Sequence, residues 1–140
     1  MYEVLLVDGA TRWHAGWVIQ PDADLLHHVA NGIPVWSTRA GLEHHAQEHG
    51  FELLDDLPDE IDLDLGGWIS AGTPQPSTAE VSELWHLLID DPAGTNLTLL
   101  EEEYDDLTDN EPDWFERHGE TSRRALAAAV ERLRASLRPS

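Results

Sequence analysis

The chain has 140 residues and a formal net charge of −20, because 28 acidic residues face only 8 basic ones, all of them arginine. Such a field repels nucleic acid and anionic membranes, and it speeds encounter with a basic partner. The absence of cysteine excludes disulfides, thiolate metal sites and thiol nucleophiles.

The acidic charge is spread unevenly along the chain. Residues 1–122 hold 27 acids against three arginines, a net −24, whereas residues 123–140 hold five arginines against one glutamate, a net +4. The length and the apolar content of 41% predict one folded domain over residues 1–140. No secretory signal pattern and no apolar run of about 18 residues is present, which predicts a soluble cytoplasmic protein.

The first forty residues predict a small antiparallel sheet. Residues 1–9 favour a strand, and residues 13–20 alternate apolar with polar side chains as a second strand does. Asn31 and Gly32 then separate two further extended runs, residues 25–30 and 33–37. An Asn-Gly pair in that position is typical of a two-residue type I′ turn, so we predict a meander that ends in a hairpin.

A short helix follows the sheet. Ser37 or Thr38 can cap its start, and Gly50 suits the left-handed position just beyond its end at His49. Residues 55–64 form an acidic run after it. A further helical turn, with Asp62 at its start, is predicted by the spacing of Leu65, Trp68 and Ile69.

The best-specified helix covers residues 77–90. Ser77 and Glu80 stand three apart as a capping box, and Pro92 stops the helix. Its buried stripe lies at positions i, i+3, i+4 and i+7, which are Val81, Leu84, Trp85 and Leu88. Helical spacing so complete predicts a central element of the fold.

Two more helices complete the prediction. One begins with Asn96 as cap and buries Leu97, Leu100, Tyr104 and Leu107. The last covers residues 121–137, and a polar connection over residues 109–119 precedes it. The chain is therefore predicted to be α+β, a small N-terminal antiparallel sheet (meander or hairpin) packed by three to four α-helices in a single layer.

The histidines raise the question of a metal site. His44, His45 and His49 lie on one predicted helix, and His45 and His49 are four residues apart, so both imidazoles could face one ion. The usual paired-histidine motif has a glutamate directly after the first histidine, where this chain has Ala46. Metal binding is therefore not predicted, and neither is a cofactor.

No catalytic constellation stands out elsewhere. The sequence lacks a Gly-x-Ser-x-Gly elbow and a phosphate-binding glycine loop. Carboxylates suited to acid–base catalysis need differently perturbed surroundings, and we expect none to sit alone in an apolar stretch. The chain is accordingly predicted not to be an enzyme.

Several stretches together resemble an uncharacterised family of small acidic bacterial proteins often encoded beside secreted toxins. The resemblance spans about residues 30–110 and is carried by residues 33–38, the helix ending at His49 and Gly50, and residues 62–68, 84–90 and 104–107. It implies an α+β, immunity-like protein that neutralises a toxin and has no catalytic residues.

Charge and resemblance together predict an immunity protein that inhibits a cognate toxin, for example a cationic nuclease, through acidic surface complementarity. Trp114 could be an exposed aromatic anchor for that partner, or it could fix its connection to the domain. An acidic adaptor module and a metal-dependent enzyme using His44, His45 and His49 are the alternatives, and the sequence leaves the oligomeric state open. The predicted binding residues are Asp55, Asp56, Asp59, Glu60, Glu101, Glu102, Glu103, Asp105, Asp106 and Trp114.

Overall fold

The computed structural model describes residues 1–140 and has the predicted α+β class, with five helices and a four-stranded sheet near the N-terminus. Its contacts fall into two compact units: unit 1 is residues 1–62 with 135–140, and unit 2 is residues 63–134. Unit 1 carries 12 acids and three arginines, a net −9, and unit 2 carries 16 acids and five arginines, a net −11. The expectation of a single domain stays a prediction. None of the helices combines the length and apolar character that a membrane crossing requires.

Unit 1 contains the strands. In chain order they are β1 (Tyr2–Asp8), β2 (Thr11–Ile19), β3 (Asp24–Leu26), β4 (Ile33–Val35), β5 (Asp59–Asp62) and β6 (Leu137–Pro139). The main sheet has the order β3-β2-β1-β5, in which β1–β2 and β2–β3 are antiparallel. Strand β5 is parallel to β1, with Ile61 opposite Leu6, so the sheet is mixed and the prediction of a purely antiparallel sheet is wrong.

The predicted Asn31-Gly32 hairpin is also wrong. Val29 and Gly32 exchange backbone hydrogen bonds of 2.8 and 3.1 Å, which places Ala30 and Asn31 at the centre of the turn. Strand β4 does not pair with β3 but lies parallel to β6, with Ile33 opposite Leu137. All three residues of β4 are buried, and β4 and β6 form a separate two-stranded sheet.

The first helix, α1 (Arg39–Glu48), follows the local signals of the sequence. Thr38 caps it by accepting a hydrogen bond from the Gly41 amide at 3.3 Å, and Gly50 adopts the left-handed conformation with φ 73°. Leu42 and Ala46 are its buried residues. The prediction of this helix is therefore confirmed at its start, its buried stripe and its end.

Unit 2 is helical. It contains a 3₁₀ turn (Leu65–Gly67), α2 (Trp68–Ala71), α3 (Thr78–Ile89), a second 3₁₀ turn (Pro92–Gly94), α4 (Glu101–Thr108) and α5 (Trp114–Ser136) up to Arg134. At α3 the capping box is present, since Ser77 Oγ accepts from the Glu80 amide and Glu80 Oε1 accepts from the Ser77 amide, both at 3.1 Å. The four stripe residues of that helix are all buried, as predicted.

Three predicted helix starts after residue 60 are wrong. Asn96 does not cap α4, because its side chain donates to the Ala125 carbonyl at 2.7 Å and accepts from Arg132 at 3.2 Å, and α4 begins only at Glu101. Asp62 lies in β5, and it is Asp64 that accepts hydrogen bonds from the Ser70 amide and hydroxyl, both at 2.9 Å. The last helix starts at residue 114 and takes in most of the predicted polar connection.

Candidate functional site

The first predicted acidic segment lies in unit 1, before and within β5. Asp55, Asp56, Asp59 and Glu60 are all exposed. Glu60 forms an ion pair with Arg12, and Asp55 lies 3.7 Å from Arg39, so the fold partly neutralises both. Asp56 and Asp59 have no basic partner. Between them Leu57 is 95% exposed, an apolar side chain set in an acidic surface.

The second acidic segment lies in unit 2, in and around the first turns of α4. Asp106 is used internally, because it accepts a hydrogen bond from His118 Nε2 at 2.7 Å and lies 3.7 Å from Arg117. No cation pairs with the four other carboxylates of this segment, which are Glu101, Glu102, Glu103 and Asp105. Nearby Leu99 is 83% exposed. The segment therefore repeats the combination found in unit 1, an exposed leucine beside unpaired carboxylates.

Part of this acidity has a structural reason. Glu101, Glu102 and Glu103 occupy the first turn of α4, and the capping position, Leu100, offers no side-chain hydrogen bond. Negative charge at an N-terminus interacts favourably with the partial positive charge of the free amides, by about 0.3–1 kcal/mol. That gain does not require three glutamates, and it does not involve Asp105.

Trp114 is not an exposed anchor. Its side chain is fully buried, its Nε1 donates to the Glu103 carbonyl at 2.8 Å, and the Phe115 ring packs edge-on with centroids 5.0 Å apart. The tryptophan therefore joins the start of α5 to α4. Of the two roles predicted for it, the structure shows the one that fixes the chain, and Trp114 is removed from the partner-binding surface.

The three histidines in and directly after α1, at positions 44, 45 and 49, do not converge on a common point. His44 is exposed and pairs with Glu48 at 3.0 Å, whereas the His45 and His49 rings stack with centroids 4.1 Å apart. No group of three or more histidine, aspartate or glutamate side chains is arranged to hold a metal ion. His45 instead faces His27, and their Nε2 atoms are 3.0 Å apart.

Unit 1 contains a buried charge network that is not among the predicted features. The Glu3 side chain is only 2% exposed, its Oε2 accepts from His14 Nδ1 at 2.5 Å, and its Oε1 accepts from Arg39 Nη1 at 2.8 Å. The expectation that no carboxylate stands alone in an apolar stretch is therefore wrong, since Glu3 is the single acid among the apolar residues that open β1. The position of Glu3 among apolar strand residues could have indicated this network, because a charge in a buried strand needs a partner.

The Glu3 network is arranged for stability. Both carboxylate oxygens are occupied by donors, and Arg39 also donates to Glu43 Oε1 at 2.8 Å and to the Leu54 carbonyl at 3.4 Å. Hydrogen bonds to Glu43 and Glu3 raise the pKa of Arg39, which keeps the guanidinium charged. The network thus connects α1 to β1 and β2 through charged groups, and both oxygens of the buried Glu3 carboxylate are occupied.

The arrangement offers two acidic surfaces, one in each unit, and both are suited chemically to a basic protein partner. Desolvated apolar contacts supply most of the affinity of protein complexes, and complementary charge supplies specificity and association rate. An exposed leucine among carboxylates provides both kinds of contact in each surface.

Comparisons with known proteins identify no family. The resemblance of residues 30–110 to small acidic bacterial proteins therefore stays a prediction. No protein-family model, curated protein or solved structure matches this chain.

Proposed function

We propose that the protein is an immunity protein, which binds a cationic toxin and inhibits it stoichiometrically without catalysing a reaction. The observation that carries the proposal is the cluster of Glu101, Glu102, Glu103 and Asp105, which no cation of the chain neutralises and which lies beside the exposed Leu99. Unit 2 also has a net charge of −11, so its field would attract a basic partner before contact.

The mechanism would have two steps. Long-range attraction first raises the rate of encounter, and it weakens as salt shortens the Debye length to about 8 Å at physiological ionic strength. In the complex, the carboxylates would then occupy the positions that substrate phosphates take in a cationic nuclease. Leu99 would supply apolar contact area, and Leu57 with Asp56 and Asp59 forms a second surface of the same chemistry.

The test begins with the reading frame beside this gene, which the proposal expects to encode a toxin with a small basic C-terminal domain. That domain is expressed alone, to measure toxicity, and together with this protein, to measure rescue of growth. Association is followed by stopped-flow fluorescence while ionic strength rises from roughly 0.05 to 0.5 M. We expect rescue by the wild-type protein and a fall in association rate of at least about tenfold over this range.

A charge-matched pair of variants locates the surface. The triple variant Glu101→Gln, Glu102→Gln, Asp105→Asn removes three unpaired charges from the second acidic segment. The control Glu83→Gln, Asp90→Asn, Glu116→Gln removes three exposed charges from elsewhere in unit 2. We expect the first variant to associate about tenfold more slowly and the control to stay within about twofold of wild type.

Two results would contradict the proposal. If the neighbouring basic domain forms no complex and the wild-type protein does not rescue growth, the chain is not an immunity protein for that toxin. Equal effects of the two triple variants would assign the rate enhancement to net charge alone and remove α4 from the interface. A stable complex with a cellular protein that is no toxin would favour the acidic adaptor instead.

A further inference from the structure

Three histidines and two other aromatic residues form a cluster in unit 1. The His27 and His45 Nε2 atoms are 3.0 Å apart, and the His45 ring stacks on His49 with centroids 4.1 Å apart. The ring centroids of Trp36 and His45 are 4.8 Å apart, and those of Phe51 and His27 are 5.0 Å apart. We call His27, His45 and His49 the imidazole cluster.

The contact between His27 and His45 requires at least one of the two rings to be neutral. Two nitrogens 3.0 Å apart share one hydrogen, so one Nε2 donates and the other accepts. A protonated imidazole carries N–H groups at both nitrogens and has no acceptor, so protonation of both rings places two donors and two positive charges against each other. The His49 Nδ1 already donates to the His45 carbonyl at 2.9 Å, which fixes the third ring beside this pair.

The surroundings also oppose protonation. Burial, followed by the neighbouring His45, His49 and His28, lowers the pKa of His27. The pKa of His45 is lowered mainly by burial and secondly by the neighbouring His49. Glu48 acts in the opposite direction, and its effect is the smallest of the three. Glu48 is itself paired with His44 on the same helix.

We propose that the imidazole cluster is an acid-sensitive latch, which holds the C-terminal half of α1 against the strand ends of unit 1 while His27 or His45 is neutral and releases it when both are protonated. His27 follows β3 directly and Trp36 follows β4, whereas His45 and His49 lie at the end of α1. The latch therefore joins three elements. At the start of α1 the Glu3–Arg39 ion pair has a formal charge on each side and does not depend on histidine in this way.

The sign of the pH dependence follows from the loss of this contact when both rings are protonated. Because the folded state disfavours protonated His27 and His45, the unfolded chain binds more protons below the ordinary histidine pKa of 6.5. The contribution of the latch to stability is complete above that pH and is lost as the pH falls through the lowered pKa values of the folded state. For each unit by which a pKa is lowered in the folded state, the ratio of folded to unfolded protein falls by about tenfold at low pH.

The first experiment measures the histidines directly by NMR titration of the full chain from about pH 8 to about pH 5, in buffer containing a chelator. We expect His27 and His45 to titrate below 6.5, and His45→Gln to raise the pKa of His27 toward that value. The control is His44→Gln, an exposed neighbour on the same helix, which should leave the pKa of His27 unchanged. A His27 pKa at or above 6.5 in the wild-type chain would overturn the proposal.

The second experiment measures the release of α1 by amide hydrogen exchange at the same pH values, corrected for the intrinsic pH dependence of exchange. Residues 42–48 should lose protection as the pH falls, by at least about tenfold relative to residues 81–88 of α3. The variant His27→Gln removes one imidazole of the pair. In this variant the difference in exchange protection between residues 42–48 and residues 81–88 should depend much less on pH. Uniform protection of both helices across the titration would show that the cluster packs α1 without sensing acid.

Discussion

Removal of Arg39 tests whether the buried Glu3 carboxylate depends on its counter-ion. Arg39 forms two hydrogen bonds of equal length, 2.8 Å, to Glu3 and to Glu43. The two acids differ in exposure, since the Glu3 side chain is 2% exposed and that of Glu43 is 55% exposed. The same arginine thus provides a buried ion pair and a matched surface ion pair.

Burial decides the magnitudes. Breaking a fully buried ion pair by removal of one partner destabilises a protein by about 3–5 kcal/mol, because the other charge stays buried without compensation. The Arg39 side chain is 30% exposed and His14 still binds Glu3, so we expect Arg39→Met to lower the free energy of unfolding by about 2–3 kcal/mol. Glu43→Gln should change it by less than about 0.5 kcal/mol, as exposed i,i+4 pairs do.

Urea unfolding at neutral pH, followed by circular dichroism, measures these differences. The double variant Arg39→Met, Glu3→Gln removes the buried charge together with its partner, and it should recover at least about 1 kcal/mol relative to Arg39→Met alone. If Arg39→Met costs no more than Glu43→Gln, or if the double variant shows no recovery, Glu3 does not carry an uncompensated buried charge and the electrostatic reasoning fails.

Two further predictions are checked by the same denaturation assay. Trp114→Phe removes the donor to the Glu103 carbonyl and part of a fully buried ring, so we expect the free energy of unfolding to fall by about 2–3 kcal/mol. A fall below about 0.5 kcal/mol would contradict the anchoring role. Gly94→Ala should lower the free energy of unfolding by about 2–3 kcal/mol, because the new Cβ would overlap the Leu88 carbonyl. The control Gly50→Ala has open space around the new Cβ, so it should lower the free energy of unfolding by only about 1 kcal/mol, the strain of a left-handed alanine. Equal losses for the two glycines would show that the backbone near residue 94 adjusts freely.

The sequence predicted those parts of the fold that neighbouring residues determine. A capping serine needs only the glutamate three positions later, so the start of α3 and its buried stripe could be read from Ser77 to Leu88. The cap and end of α1, at Thr38 and Gly50, are equally local. Such features require no knowledge of what lies across the chain.

Pairings between distant segments could not be read in this way. Strand β5 contains a single apolar residue, Ile61, and becomes a strand because β1 offers it a parallel edge more than fifty residues earlier in the chain. The Asn31-Gly32 pair had the local preference for a hairpin, but the pairing of β4 with β6 decided its position. Asn96 likewise resembled a helix cap, although its amide is used by Ala125, 29 residues away.

The same distinction applies to the candidate site. A count of charges treats all 28 acids alike, whereas the fold separates those with internal partners, such as Glu3, Glu60 and Asp106, from those without. Only an unpaired carboxylate retains its full attraction for an external cation, because a paired one is already compensated. Charge removal at Glu101 or Asp105 should therefore slow association with a basic partner more than removal at Glu60 or Asp106. If both pairs of positions responded equally, net charge rather than local pairing would control the encounter.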